Sequence, residues 1–314
     1  MSSDILPSGE LLKNLNQTLR GALELLGEST VTGKGLTGSS QQLGSLMEQC
    51  LALCAERESI RREPIRLLHH FSCTGGTLIS KCVAAMPNVQ LFSEIEPFST
   101  LQGSTKPKFS PTDIITQAKQ STRGAEQVLI TDLFASNLEI LYQHAMRRGY
   151  RLVLRDHAHS RFCNGADISS APSLAALVSA RHEVLSVLTV RKPVESYLSM
   201  ASHGWHKHFT PSSFDEYCRR YLVFIHDHAG ADIYRYEDLL EHPAGTMQKI
   251  CGSLDLPFAE YFDQLFGVFQ LTGDSGRSAD VIGTRADHVT SEAFAAEVAA
   301  SENHARLQDL LGYD

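Results

Sequence analysis

The chain has 314 residues, of which 42% are hydrophobic and 20% are charged, and its formal net charge is -8. A chain of this length can bury a sizeable core, and its acidic balance argues against a nucleic-acid groove as its main function. Seven cysteines, an odd number in a long chain, indicate reduced thiols rather than a disulfide framework. No stretch predicts a signal peptide or a membrane span, so we expect a cytoplasmic protein.

The first 62 residues predict a helical region that is separate from a main domain over residues 63–314. Leucines recur at helical spacing between Gly9 and Leu26 and predict an amphipathic helix. Gly27–Ser40 is rich in Gly, Ser and Thr and predicts a linker. Gln41–Arg62 predicts a second amphipathic helix. We therefore expect an N-terminal helical appendage on the main domain.

Two features of this region resemble functional sites but fit other roles better. Five residues separate Gly27 from Gly33, whereas a nucleotide P-loop needs four between its glycines, and Lys34 is followed by Gly rather than Ser or Thr. Cys50 and Cys54 lie one helical turn apart, but no His or Cys of zinc-site spacing lies nearby. We interpret the first as linker and the second as core packing.

A strand, a glycine turn and a helix follow one another between Ile65 and Pro87. The apolar run Ile65–Phe71 predicts a short buried strand, and Ser72–Thr77 holds two adjacent glycines where the chain must turn sharply. Apolar residues then recur at helical spacing from Leu78 to Met86. The free backbone N–H groups of such a helix N-terminus bind anions, with phosphate or sulfate the best fit.

Strands and helices alternate along the rest of the chain. The alternation predicts a doubly wound, mostly parallel α/β sheet, whose ligands bind beyond the C-terminal ends of the strands. Polar clusters follow the predicted strands at that edge, and we expect the site there. The further strands are predicted at Gln90–Phe92, Arg151–Arg155, Val184–Val190 and Asp232–Tyr234, and the helices at Asp113–Gln120, Leu133–Arg148, Leu174–Ala180, Val194–Ser202, Ser213–His228 and Pro243–Leu254, with short helices after Ser291.

The order of four short motifs resembles a known family. The Ser/Thr-Gly turn is followed by Arg191-Lys-Pro with Ser199 eight residues after the arginine, then by Tyr236-Glu-Asp-Leu, then by Ser275-Gly-Arg. This series resembles the sulfotransferases that use 3′-phosphoadenosine 5′-phosphosulfate (PAPS), particularly the bacterial cytosolic members. The resemblance runs from Ile65 to Arg277 and implies a sheet of the P-loop-NTPase-like type.

The resemblance also implies a role for each motif. The glycine turn would cradle the 5′-phosphosulfate through backbone amides and the Thr77 hydroxyl, and Arg191 and Ser199 would grip the 3′-phosphate. Tyr236 would meet the adenine, and the late Ser-Gly-Arg loop would close over the 3′-phosphate. The predicted donor-binding residues are Cys73, Thr74, Gly75, Gly76, Thr77, Leu78, Arg191, Ser199, Tyr236, Ser275, Gly276 and Arg277.

Transfer to a hydroxyl group needs a general base. Related bacterial enzymes often carry a catalytic glutamate in a Glu-Pro stretch, which favours Glu94, with Glu96 as the alternative register. His157, after the third predicted strand, is the second candidate because histidine titrates near neutral pH. We therefore predict Glu94 and His157 as catalytic residues.

A magnesium-dependent kinase or NTPase is the first alternative. Such enzymes need a P-loop lysine and a carboxylate-held Mg²⁺, and the turn at Thr74–Thr77 has no such lysine. A sulfuryl group carries less charge than a terminal phosphate, so we expect PAPS as co-substrate and no required metal.

His203, His206 and His208 surround Trp205 and predict a loop or lid near the acceptor rather than a zinc site.

A catalytically inactive nucleotide-binding module is the second alternative. Cys73 stands where many members carry a lysine or arginine that stabilises the leaving phosphate, and Lys81 and His70 are the nearby groups that could replace it. The expected partner is a small-molecule or carrier-bound hydroxyl acceptor, with no nucleic acid. The residues leave the identity of the acceptor and the oligomeric state open.

Overall fold

The computed structural model describes residues 62–99, 101, 113–273, 282–283 and 290–313. These residues belong to a unit that runs from Ile60 to Asp314. The predicted N-terminal helices and their linker lie outside the described residues, and so do Ser275, Gly276 and Arg277.

Five strands form one sheet in which every neighbouring pair is parallel. Their order across the sheet is β2-β3-β1-β4-β5, so β1 is central and the chain crosses from one side of it to the other between β3 and β4. The strand ends on both sides of β1 open a crevice at the C-terminal edge. The predicted doubly wound parallel sheet is confirmed. The strands are β1 Ile65–His70, β2 Val89–Ile95, β3 Arg151–Asp156, β4 Val184–Val190 and β5 Asp232–Arg235.

Twelve α-helices occur within the described residues, together with 3-10 turns at Trp205–His208 and Phe266–Val268. None of these helices is both long and apolar enough to cross a membrane. Three of the short helices, α4, α8 and α10, were not predicted. The helices are α1 Gly76–Ala84, α2 Ile114–Lys119, α3 Gln127–Arg147, α4 Ala158–Phe162, α5 Leu174–Ser179, α6 Pro193–Ala201, α7 Phe214–Asp227, α8 Tyr236–Glu241, α9 Pro243–Ser253, α10 Phe262–Leu265, α11 Glu292–Ala300 and α12 Glu302–Leu311.

Helices cover both faces of the sheet because successive side chains of a strand point to opposite sides. Leu68 of β1 packs with α1 and α9, whereas Ile65 and Leu67 pack with α3 and α5 on the other face. Phe71, just after β1, stacks on Tyr221 of α7 with ring centroids 4.5 Å apart. The turn after β1 therefore starts from a strand whose two faces are both buried.

The C-terminal helix α12 is anchored to the start of α7 by one carboxylate. Asp215 accepts hydrogen bonds from the Ser301 hydroxyl at 2.6 Å and from the Asn303 side-chain amide at 2.8 Å. The bond from Ser301 is the main reason why the pKa of Asp215 lies below its usual range. Ser301 also caps α12, since its hydroxyl oxygen accepts the His304 N–H at 3.0 Å.

We expect the Asp215→Ala variant to lose about 1–2 kcal/mol of unfolding free energy at neutral pH, the lower part of the range for a hydrogen bond to a charged group, because the carboxylate is only partly buried. A carboxylate with a lowered pKa stabilises above its ordinary pKa and loses that contribution as the pH falls through the folded value. The difference from the native chain should therefore shrink below about pH 4. Urea titrations at several pH values measure it, with the exposed Asp309→Ala as control. Equal losses of unfolding free energy in the two variants would contradict the role of Asp215 in anchoring α12.

Candidate active site

The turn after β1 closes on itself and leads directly into α1. Cys73 and Gly75 have left-handed φ values of 62° and 86°. Thr74 is fully buried, and its hydroxyl donates to the Phe71 carbonyl at 2.9 Å, so this side chain holds the turn from within. The first N–H groups of α1, which begins at Gly76, have no partner inside the helix, and such groups can bind an anion.

Neither glycine of the turn has space for a side chain. A Cβ on Gly75 would lie 2.1 Å from the Tyr236 ring, and a Cβ on Gly76 would lie 2.4 Å from the His70 ring. The His70 ring is held by Thr189, whose hydroxyl is 2.8 Å from its Nδ1. Burial lowers the pKa of His70 well below its usual value, so this ring is neutral and adds no charge to the turn.

Arg191 joins the turn to Tyr236. Its Nη1 donates to the Cys73 carbonyl at 3.3 Å, and its guanidinium carbon lies 5.2 Å from the centroid of the Tyr236 ring. Its Nη2 lies 3.7 Å from a carboxylate oxygen of Glu195, one turn into α6. Ser199, two turns into the same helix, is buried. Three segments that the sequence places far apart therefore meet: the glycine turn, the end of β4 and the start of α8.

These residues line one cavity of about 930 Å³, near the upper end of the size range for small-molecule sites. Cys73, Gly75, Gly76, Thr77, Leu78, Arg191, Ser199, Tyr236, Glu94 and His157 all contribute to its wall. Thr74 does not, because its side chain is turned into the loop. The cavity thus brings together the described residues that were predicted to bind the donor, except Thr74, and both candidate bases.

Glu94 lies inside β2, and the prediction that it follows the strand is wrong. The strand continues to Ile95, but its register against β3 shifts between Phe92 and Ile95, and Glu94 has a left-handed φ of 62°. This irregularity turns the carboxylate towards the residues at the end of β3. Its two oxygens lie 3.1 Å from Arg155 Nη1 and 3.1 Å from His157 Nε2.

The environment of His157 differs from that of a free histidine. Burial lowers the pKa of its ring, and the neighbouring Glu94 carboxylate offsets part of that decrease. Glu96, the alternative base, has a different setting. It accepts a hydrogen bond from the Phe98 N–H at 3.0 Å, and burial raises its pKa.

The segment that leads to the late loop is tied to β2 and to α1. Thr272 and Ser93 exchange hydrogen bonds at 3.0 and 3.1 Å, and the Thr77 hydroxyl donates to the Gly273 carbonyl at 3.4 Å. A Cβ on Gly273 would lie 2.1 Å from the Glu94 carboxylate. The chain therefore leads into the predicted Ser-Gly-Arg loop next to both α1 and the candidate base Glu94.

A line of imidazole rings borders the other side of the turn. His159 Nδ1 lies 2.9 Å from the Ser72 hydroxyl, and its Nε2 lies 3.4 Å from His208 Nδ1. Burial lowers the pKa of His159 to about 4, so the ring is neutral near pH 7. Trp205 contacts His159 edge-on at 5.6 Å, and both line the cavity. The segment of residues 203–208, predicted as a loop or lid, contains a 3-10 turn at Trp205–His208 that contributes to the cavity wall.

Three residues of the site were not assigned from the sequence. Arg155 pairs with Glu94, and its charge at the end of a strand was the available signal. Lys81 is buried in the cavity wall, one turn along α1. Glu237, in the first turn of α8, accepts the Lys192 N–H at 3.0 Å and the Tyr313 hydroxyl at 2.8 Å, which joins α8 to the start of α6 and to Tyr313 near the C-terminus.

The model of a family described as the sulfotransferase family matches residues 71–260, more than half of the chain. No curated protein sequence matches. Among solved structures, the sulfotransferase domain of the Synechococcus PCC 7002 olefin synthase is similar, with a TM-score of 0.51 and 15% identity over 81% of this chain and 97% of that domain. This likeness shows a shared fold and confirms the predicted P-loop-like class.

Two further solved structures are similar at lower scores. The sulfotransferase domain from the curacin biosynthetic pathway has a TM-score of 0.47 and 17% identity over 81% of this chain and 99% of that one. The mouse sulfotransferase SULT7A1, solved in complex with PAP, has a TM-score of 0.40 and 12% identity over 79% of this chain and 89% of that one.

We expect Gly75→Ala to destabilise the chain by about 1–3 kcal/mol or more, since it adds left-handed strain to a clash with the Tyr236 ring. Urea unfolding measures the loss. In a Tyr236→Ala background the same substitution should cost less, because only the backbone strain remains. Gly252→Ala, at a helical glycine with open space around it, is the control. An equal cost in both backgrounds would mean that Tyr236 does not press on this glycine.

Proposed function

The chain belongs to the sulfotransferase family, and we propose that it moves a sulfuryl group from PAPS to a hydroxyl group of an acceptor and releases 3′-phosphoadenosine 5′-phosphate (PAP). The contact of Arg191 with both the Cys73 carbonyl and the Tyr236 ring is the observation that carries this proposal. Through this contact, three of the motifs on which the resemblance rests meet at one cavity: the glycine turn, the motif of Arg191 and the motif of Tyr236.

The donor would lie across these three segments. The free N–H groups at the start of α1 suit the 5′-phosphosulfate, and the Thr77 hydroxyl lies beside them. Arg191 can hold a 3′-phosphate through two parallel hydrogen bonds, and the Ser199 hydroxyl can add another. The Tyr236 ring would stack against the adenine. A donor with two separate phosphate groups explains why two separate anion-binding features line one cavity.

The reaction would be an in-line displacement at sulfur. The acceptor oxygen forms the new S–O bond as the bond between sulfur and the bridging oxygen of the 5′-phosphate breaks, and the electron pair stays on PAP. The acceptor proton must leave at the same time. N–H groups at a helix terminus stabilise the charge that develops on the leaving phosphate without a metal ion.

The pair Glu94–His157 supports the assignment of the base. The 3.1 Å distance between Glu94 Oε2 and His157 Nε2 lets a proton taken by either group be shared with the other. Arg155 holds the second carboxylate oxygen and fixes its direction. The Glu96 carboxylate instead binds the Phe98 N–H, and no imidazole ring pairs with it among the described residues. We therefore propose Glu94 with His157 as the base.

The acceptor would be a small-molecule or carrier-bound alcohol, and the cytoplasm remains our predicted location for the reaction. The cavity wall beyond Glu94 contains apolar side chains, among them Ile115 and Phe134. It also contains Lys119, whose ammonium donates to the Pro97 and Ser99 carbonyls at 2.8 and 2.9 Å. Binding a hydroxyl-bearing molecule there would place its oxygen near the proposed base.

We expect Arg191→Ala to weaken PAP binding by about 1.5–3 kcal/mol, or roughly 10- to 150-fold, because a hydrogen-bonded charge pair with the 3′-phosphate is lost. Calorimetric titration with PAP, and with ADP and Mg-ATP for comparison, measures the effect. The adjacent Lys192→Ala is the matched control, since its side chain is exposed.

Two outcomes of that titration would contradict the donor assignment. One is tighter binding of Mg-ATP than of PAP by the native chain, which would favour a kinase or NTPase. The other is equal loss of PAP affinity in Arg191→Ala and Lys192→Ala, which would indicate general electrostatics rather than a grip on the 3′-phosphate.

We expect Glu94→Gln to leave PAP affinity unchanged and to slow sulfuryl transfer by about 10²–10⁴-fold, the usual contribution of a general base. Release of PAP from PAPS in the presence of a panel of alcohols measures the rate. Glu96→Gln is the matched control and should retain activity. A rate that falls in Glu96→Gln but not in Glu94→Gln would move the base to the other register. Tight PAP binding with no turnover in the native chain would indicate the inactive module.

A further inference from the structure

Three buried side chains form a second polar cluster, on the face of the sheet opposite His70. They are His69 from β1, Asp156 from the end of β3 and His228, which follows α7. The three residues are only 1%, 8% and 6% exposed. One ligand atom from each of them lies within 4.8 Å of the other two.

The hydrogen bonds of this cluster leave two lone pairs facing each other. His228 Nδ1 lies 2.7 Å from the Phe224 carbonyl, which can only accept, so Nδ1 carries the ring proton. In the neutral ring His228 Nε2 then presents a lone pair, and it lies 3.7 Å from Asp156 Oδ2. A nitrogen lone pair opposite a carboxylate oxygen is unfavourable unless a positive charge lies between them.

Within the described part of the chain, the Asp156 carboxylate also lacks an ion-pair partner of fixed positive charge. Among the described residues its ion-pair partners are His69, with Nδ1 at 2.7 Å from Oδ2, and His228. Asp156 Oδ1 and His69 Nε2 are buried and have no hydrogen-bond partner within the same set of residues. A buried carboxylate is costly unless it is paired with a charge or coordinates a metal.

We propose that His69, Asp156 and His228 bind a divalent transition-metal ion, with zinc as the best fit. Two imidazoles and a carboxylate are a known zinc ligand set. Ligands at about 2.0–2.2 Å from a tetrahedral zinc lie roughly 3.4 Å apart, close to the 3.7 Å between His228 Nε2 and Asp156 Oδ2. If His69 ligates through Nδ1, the ion replaces the shared proton of its pair with Asp156, and these atoms separate by about 0.7 Å.

The ion would stabilise the site next to it without taking part in the transfer. Three protein ligands leave one position for water, and Asp156 also belongs to the wall of the main cavity, so the cluster lies next to that cavity. The ion would join β1, β3 and α7 at the point where β3 continues into His157. This inference does not depend on the proposed sulfuryl transfer, which needs no metal.

Cobalt substitution tests the proposal directly on the full chain. After removal of metal with a chelator, Co²⁺ should bind as one equivalent per chain and give the intense visible absorption of a tetrahedral or five-coordinate ion. Zn²⁺ should displace it with the same stoichiometry. Zn²⁺ should also raise the melting temperature, because an ion that binds only the folded chain stabilises it.

His228→Gln and Asp156→Asn are the test variants, since both keep the size of the side chain. Changes outside the ligand shell already cost roughly 10- to 100-fold in metal affinity, so the loss of a ligand should cost at least that much. His226→Gln is the matched control, because this exposed histidine lies two residues away on α7. His206→Gln controls for adventitious binding by the histidines of residues 203–208.

The outcomes separate the site from its alternatives. Absence of a one-equivalent Co²⁺ spectrum in the native chain overturns the proposal and leaves a proton-sharing network in its place; this result does not require any variant to fold. Metal that remains in His228→Gln and disappears in His206→Gln also overturns it, since the ion then lies on the segment around Trp205. Loss in His228→Gln and Asp156→Asn, with retention in both controls, supports it.

Discussion

The absence of space above Gly75 and Gly76 is the constraint on which the rest of the site depends. The Tyr236 and His70 rings occupy the positions that side chains would take. The turn therefore brings its backbone N–H groups, rather than side chains, to the edge of the sheet. Because β1 is the central strand, this turn, which we propose binds an anion, lies where the strand order reverses, and Arg191 and Tyr236 reach it from the ends of β4 and β5.

The charge balance of this turn departs from that of many family members. The residue before the Ser/Thr-Gly pair is Cys73, whose left-handed backbone turns its carbonyl to Arg191. Positive potential must then come from Arg191, from the α1 N-terminus and from Lys81, a buried lysine in the cavity wall one turn along α1. Groups held in a buried site stabilise developing charge more strongly than they would in water. These cationic groups thus lie at one cavity in a chain that is acidic as a whole.

The end of β3 serves two different clusters. Arg155 and His157 meet Glu94 at the cavity, whereas Asp156 between them meets His69 on the opposite face. This division follows from the alternation of side chains along a strand. The orientation of the proposed base therefore depends on a strand end that is itself held by the His69–Asp156–His228 cluster. A substitution in this cluster should therefore alter the position of the proposed base on the other side of the sheet.

The sequence alone determined the local elements and the edge of the sheet at which the cavity lies. Apolar runs of strand length and helical periods predicted most elements to within one or two residues, although Gln127–Arg147 began six residues earlier than predicted because its first turn is largely exposed. Polar clusters at strand ends predicted the edge at which Arg191, Ser199 and Tyr236 line one cavity. These features are local, since periodicity and turn composition act over a few residues.

Only the tertiary structure decided which distant residues meet. The bulge that turns Glu94 to Arg155 and His157 comes from a register shift between β2 and β3. The approach of His69, Asp156 and His228 depends on the central place of β1 and on the packing of α7. Nothing in the local pattern encodes these contacts, because strand order and register are set by the packing of the whole core.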